Sequence, residues 1–239
     1  IYGHYEHQMN ELSDIRQQLR LLSSEDQENL LAWLHDCVAL EAPRNFVAEA
    51  HPAYADRELR LMTVEQYFEL EETAALRHEY INGVLYAMAG ATVAHNRITF
   101  QLATALSSRL GGGACRVFLN DLKLRLELGG DEIFYYPDVM VACDPADWGR
   151  NFIRNPRLVA EVLSPSTQHI DCREKALNYH RAGSIEEYLV ISQTERRVLV
   201  HRRADRWQLD TVCAAEATIE LRSLGMSIPV AEIYGDALS

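Results

Sequence analysis

Lysine is nearly missing from this sequence. Of 23 basic residues only Lys123 and Lys175 are lysines, and the rest are arginines. An ammonium is a compact, strongly hydrated point charge and a guanidinium a rigid planar fork, so the two do not substitute for one another. Each lysine is therefore a candidate for a role of its own. Positive charge as a whole is also scarce: 35 acidic residues leave a formal net charge of −12, the reverse of the basic footprint of an ordinary nucleic-acid binder. No apolar run approaches the about 18 residues of a membrane-spanning helix. The opening residues, Ile1-Tyr2-Gly3-His4, lack the basic-then-apolar layout of a secretory leader. The five cysteines, Cys37, Cys115, Cys143, Cys172 and Cys213, form no C-x-x-C pair and are odd in number. Buried, reduced thiols in a cytoplasmic protein are expected. There is no G-x-x-x-x-G-K-[ST], no G-x-S-x-G and no H-E-x-x-H, so a phosphate loop, a serine-hydrolase elbow and a zincin helix are unsupported. The histidines and cysteines never reach zinc-ligand spacing.

What remains is a chain of 239 residues, 48% of them apolar. That is enough to bury a sizeable core and exclude disorder. Its charge is uneven. Residues 1–149 carry 11 basic and 23 acidic groups, whereas residues 150–206 carry 11 basic and 7 acidic. A phosphate contact is therefore best sought in 150–206. Over residues 1–60, Leu12, Ile15, Leu19 and Leu22 recur at helical spacing. Ser24 with Gln27 starts a second helix, and the pair predicts an αα-hairpin followed by a linker. Beyond it, Thr63 caps a helix from Val64 to Leu76. Asn82-Gly83 joins His78–Ile81 to Val84–Met88 as a hairpin. A long helix runs from about Ala94 to Leu110 with Ile98, Leu102 and Leu106 inward, and the glycines from Gly111 end it. Strict alternation marks a strand at Leu122–Leu128. Glu132 to Ala142 reads as one further strand and Leu158 to Leu163 as a central one. A helix starts at Asp171, with Glu174 at the capping-box position, and strands follow at Tyr188–Ser192, Val198–Arg202 and Trp207–Val212. The pattern is α/β, a sheet with helices packed on it.

Asp138 and Glu161 stand out because each lies within an otherwise apolar strand. A lone buried carboxylate is costly unless something pairs with it, and two on neighbouring strands repel. A divalent cation answers both problems, since hard oxygens suit Mg²⁺. The alternative is an arginine partner for each at a sheet edge. Lys175 and Tyr179 share a helix face with residues 171 and 182. A lysine there can hold a water or stabilise charge on a phosphate, or it is simply solvated. Lys123 shares a strand face with Arg125 and Glu127, which predicts an exposed polar face. His95 opens the long helix on its inward side, either orienting a water or phosphate or filling the core. Glu79, before the hairpin turn, is a candidate third metal ligand.

Several of these segments together resemble a known family. Pro137-Asp138, Glu161-Val162-Leu163-Ser164-Pro165-Ser166-Thr167, Asp171-x-x-x-Lys175-x-x-x-Tyr179 and Gly183-x-x-Glu186-Glu187-Tyr188 resemble the Uma-two restriction endonuclease family, a branch of the PD-(D/E)XK nuclease superfamily. His78-Glu79-Tyr80-Ile81-Asn82-Gly83 and His95-Asn96-Arg97 match its opening. The resemblance covers about residues 62–235. It implies a restriction-endonuclease-like mixed β-sheet flanked by helices over 61–239, with residues 1–60 as an N-terminal helical extension outside the family. It also implies a metal-dependent endonuclease acting on DNA. Asp138, Glu161 and the Val162 carbonyl would hold Mg²⁺ or Mn²⁺ with Glu79 accessory. Lys175 and His95 would join the two acids in catalysis, and Arg173, Tyr179 and Lys123 would meet the nucleic acid. A homodimer, with no membrane partner, is the expected assembly. The sequence departs from the superfamily in one place: Leu163 stands where its lysine, two after the glutamate, should be, and Lys175 on the next helix takes that part. The competing expectation is a non-catalytic nuclease-like module that binds nucleic acid or protein.

Overall fold

The computed structural model describes residues 61–88, 90–148, 151–164, 170–212, 214 and 216–238. The helical extension expected over 1–60 lies outside them. Helix α1 (Val64–Thr73) starts at a full capping box, in which the Thr63 side chain accepts from the Gln66 N–H and the Gln66 side chain accepts from the Thr63 N–H. It stops at Thr73, three residues short of the expected Leu76. Strands β1 (His78–Ile81) and β2 (Val84–Ala87) follow. They are joined by Asn82 at φ 48° and Gly83 at φ 93°, the left-handed pair that a two-residue hairpin requires. Helix α2 (Val93–Leu110) is capped by Thr92 and ends on Gly111 at φ 56°. Its buried stripe is the predicted one, Ile98, Leu102 and Leu106.

Two sheets carry the fold. The first has the order β2-β1-β5-β4-β7, with β4 (Lys123–Leu128), β5 (Asp131–Tyr135) and β7 (Phe152–Ile153). The second has the order β11-β10-β9-β8-β6-β3, with β3 (Arg116–Leu119), β6 (Val139–Ala142), β8 (Pro156–Val162), β9 (Glu187–Ile191), β10 (Val198–Arg202) and β11 (Leu209–Val212). Among the described residues only β4·β7 and β8·β9 pair in parallel. A ribbon of β12 (Thr218–Leu221) and β13 (Met226–Pro229) leads into the short helix α4 (Val230–Tyr234). β8 is central and its aliphatic side chains are fully buried, as its continuous apolar run predicts. Against the second sheet packs one core, which α2 and α4 share. The first sheet buries an aromatic cluster instead. In it the Tyr67 ring lies 5.1 Å from Tyr80 and 5.3 Å from Phe134, within the range of favourable ring pairs.

Four expectations are corrected. The single strand expected over Glu132–Ala142 is two strands in different sheets. Pro137 has no N–H for a ladder, and at Tyr136-Pro137-Asp138 the chain passes from β5 in one sheet to β6 in the other. Lys123 is not on an exposed face: it is 9% exposed and lies 5.7, 5.4 and 5.2 Å from the rings of Tyr67, Phe68 and Tyr136. The helix expected from Asp171 begins as a π-helical turn (Ile170–Lys175) before α3 (Ala176–Arg181), and Glu174 accepts from the Tyr135 hydroxyl. Reduced thiols give way to a disulfide at Cys115–Cys143. These residues follow in register from the Arg116↔Ala142 pair of β3 and β6, so strand pairing brings them face to face.

Candidate active site

The break between the two sheets builds the site. In the β6·β8 ladder Val139 pairs with Ala160, which sets Asp138 opposite Glu161. The two acids brace each other through the backbone. Asp138 Oδ2 accepts from the Val162 N–H at 2.7 Å, and the Asp138 N–H donates to Glu161 Oε2 at 3.4 Å. His95, in the first turn of α2, puts Nε2 3.1 Å from Asp138 Oδ2. Thr92 holds that turn, since its side chain accepts from the His95 N–H at 3.1 Å and donates to Gln193 Oε1.

Lys175 and Tyr179, one turn apart, both reach Glu161. The Tyr179 hydroxyl donates to Glu161 Oε1 at 2.9 Å, and Lys175 Nζ lies 3.2 Å from the same oxygen. Lys175 Nζ is also 2.8 Å from Glu79 Oε1 and 5.3 Å from the Tyr135 ring. Tyr135 is steadied by Asn178, whose amide donates to its hydroxyl at 2.8 Å. Glu161, Lys175, Glu79 and His95 are all buried, and Asp138 is partly open. Charges this deep are tolerated only when paired and hydrogen-bonded, and the Lys175 ammonium between two carboxylates meets that condition. Burial, reinforced by Glu161 and Glu79, pushes the Tyr179 hydroxyl far above its ordinary pKa, so it is a permanent donor. A cleft of about 430 Å³ opens onto Glu79, His95, Asp138, Glu161 and Lys175.

The structure thus brings together Asp138, Glu161, Lys175, His95, Glu79 and the Val162 backbone. It does not bring in the three residues expected at the nucleic acid. Tyr179 is fully buried, so its place there is taken by its bond to Glu161; Lys123 lies under aromatic rings; Arg173 is exposed on the π-helical turn. Much of the basic stretch 150–206 is used internally: Arg202 pairs with Asp210 at 2.9 Å, Arg157 with Glu186 at 3.6 Å, and Arg203 Nε donates to the Ile185 carbonyl at 2.9 Å. The Asn178–Tyr135–Glu174 chain and Gln193 behind Thr92 leave no local signal, because each joins segments far apart.

A family described as "Putative restriction endonuclease", Uma2, matches residues 64–231. The chain belongs to the Uma2 family. Two uncharacterized proteins of Synechocystis sp. are similar to it. One, slr1290, is 36% identical over 175 residues, 72% of this chain and 91% of that protein. The other, sll1609, is 34% identical over 166 residues, 67% of this chain and 93% of that protein. A crystal structure from Anabaena variabilis, described as "a putative nuclease belonging to DUF820", superposes with a TM-score of 0.62 at 18% identity, covering 74% of this chain and 99% of that one. The Uma2 chain therefore has a nuclease-type mixed α/β fold, and none of its helices among the described residues is long and apolar enough to cross a membrane.

Restriction-endonuclease-like proteins usually use a divalent metal, and the Uma2 site can be tested for one. Among the described residues no three His, Cys, Asp or Glu side chains form a metal cluster. Glu79 Oε1 is committed to Lys175 and to the Tyr136 N–H at 3.4 Å. Asp138 Oδ1 makes no hydrogen bond among the described residues, and Glu161 stands beside it at the cleft. Two carboxylates suit Mg²⁺, which keeps several waters and takes few protein ligands, and suit a structural zinc poorly. The donor set fits.

Proposed function

We propose that this cleft is the catalytic centre of a metal-dependent endonuclease that hydrolyses phosphodiester bonds of DNA. The observation that carries the reading is the juxtaposition of Asp138 and Glu161 on paired strands with the Lys175 ammonium 3.2 Å from Glu161. Asp138, Glu161 and the Val162 carbonyl would hold Mg²⁺ or Mn²⁺, which supplies a water of lowered pKa and charge stabilisation at the phosphate. Lys175 presents a fixed positive charge where the attacked phosphate gains negative charge. Glu79 holds that ammonium in place, Tyr179 fixes the Glu161 carboxylate from behind, and His95 orients Asp138. Hydrolysis joins the water oxygen to phosphorus, breaks the bond to the leaving oxygen and delivers a proton to it. Homodimerisation is carried with this reading, and light scattering of the full chain measures it.

The test is nicking or linearisation of plasmid DNA by the full chain with Mg²⁺ or Mn²⁺. Cleavage that EDTA stops is expected; cleavage that persists in EDTA contradicts the metal. The absence of a three-membered cluster among the described residues and the formal charge of −12 favour a second reading, a nuclease-like module without catalysis. Titration calorimetry with Mn²⁺ separates the two: binding that is lost in Asp138→Asn supports the enzyme, and no binding at all favours the module.

A further inference from the structure

The β1–β2 hairpin has a face that the core does not use. Tyr80 packs into the aromatic cluster with Phe134, and Leu85 joins it. Strand alternation turns Glu79 and Tyr86 to the opposite face. These two are direct cross-strand partners, so the Tyr86 ring stands beside the carboxylate that holds Lys175 2.8 Å away. The ribbon continues one pair further, where the Met88 N–H donates to the Arg77 carbonyl at 2.9 Å. Arg77, Tyr86 and Met88 all line the cleft.

Single exposed apolar side chains are ordinary, but Tyr86 is not isolated. It is 43% exposed on the edge strand of its sheet, as part of the wall of the cleft that holds the acids. Beside it, Arg77 has a side chain 44% exposed; Nη1 donates to the Glu71 carbonyl at 3.2 Å, and Nε makes only a long 3.9 Å approach to Asp121. A neutral ring and a guanidinium along one wall match the two parts of a nucleotide, the face of a base and a phosphate. Bases within a duplex already have both faces stacked and offer only their edges. A wall ring can therefore be reached only by a base that has left the stack.

We propose that Tyr86 is a stacking platform for an unpaired nucleobase next to the cleaved phosphate, with Arg77 on a neighbouring phosphate, so that the cleft binds single-stranded more tightly than duplex DNA and engages a plasmid where a base has left the stack. This rests on the nuclease reading above. The test is fluorescence anisotropy of the full chain, in EDTA so that nothing is cut, with a labelled oligothymidine and a labelled blunt duplex of equal length. The native protein should bind the single strand more tightly. Tyr86→Ala should weaken single-strand binding by about 5- to 100-fold while changing duplex binding less than about twofold, and Tyr86→Trp should retain it. Equal weakening of both probes by Tyr86→Ala, or no weakening, overturns the stacking site and leaves the nuclease reading intact. A native protein that binds neither probe, or both equally, overturns the stacking proposal, whereas the nuclease reading stands or falls on plasmid cleavage with Mg²⁺ or Mn²⁺.

Discussion

Lys175 and Lys123 are the two lysines of the chain, and both are nearly buried. Lys175 lies 2.8 Å from Glu79 and 3.2 Å from Glu161, at the wall of an open cleft. Lys123 makes no ion pair among the described residues and rests against three rings, the nearest centroid 5.2 Å away. Burial lowers its pKa; Glu71 opposes that shift and Arg77 adds to it. The contrast shows that rarity and burial alone do not set a lysine's surroundings. On the reading proposed above, partnership with carboxylates at a cleft holds a charge ready for a substrate, whereas a ring-bound ammonium packs against its own sheet.

Exchanging each lysine for methionine is the strongest way to break this contrast. Lys175→Met should lower plasmid cleavage by about 100-fold or more, the scale of losing one preorganised charge donor. Lys123→Met should keep cleavage close to native, and equal losses in the two variants would erase the distinction. Stability should divide the same way. Lys175→Met leaves Glu79 and Glu161 buried without their cation and should cost about 3–5 kcal/mol in urea unfolding. Lys123→Met gives up cation–π contacts worth about 2 kcal/mol for a desolvated ammonium, but it also relieves the cost of burying that charge, so its net loss should be the smaller one. A smaller effect belongs to Tyr179→Phe. It strips one donor from Glu161 and should cost about 1–3 kcal/mol, with cleavage reduced but not abolished. The smallest concerns pH. The folded-state pKa of Lys123 is lowered, so between that value and the unfolded value of about 10.4 the unfolded chain holds more protons. Stability contributed by this group therefore rises with pH across that window. The difference in stability between native protein and Lys123→Met should grow in favour of the native protein as pH rises toward 10, and a flat difference would remove the claim.

The parts of the fold that were legible in the sequence are those set by neighbours in the chain. Asn82-Gly83 specified its hairpin, the Ile98–Leu102–Leu106 stripe specified α2, and Val198–Arg202 was found with its observed bounds. The short β3, β7, β12, β13 and α4 carry too few residues for a period to emerge. The passage of the chain between sheets at Pro137 is hidden because the apolar run continues on both sides of it. In the site, helical spacing put Lys175 and Tyr179 on one face, and paired carboxylates pointed to Asp138 and Glu161. The expected solvent-facing roles of Tyr179 and Lys123 differ from the structure for a common reason. Whether a polar side chain points to solvent or to an internal partner depends on a segment elsewhere: Glu161 for the tyrosine, and α1 with Tyr136 for the lysine. The Cys115–Cys143 pairing likewise follows from the β3·β6 register and not from any local motif.

The most direct test of the catalytic cleft is a side-by-side plasmid assay with Mg²⁺ and with Mn²⁺, using native protein, Lys123→Met and Asp138→Ala. Cleavage by the first two and none by Asp138→Ala is expected. Equal cleavage by all three, or by none, would contradict a phosphodiesterase centre at Asp138, Glu161 and Lys175.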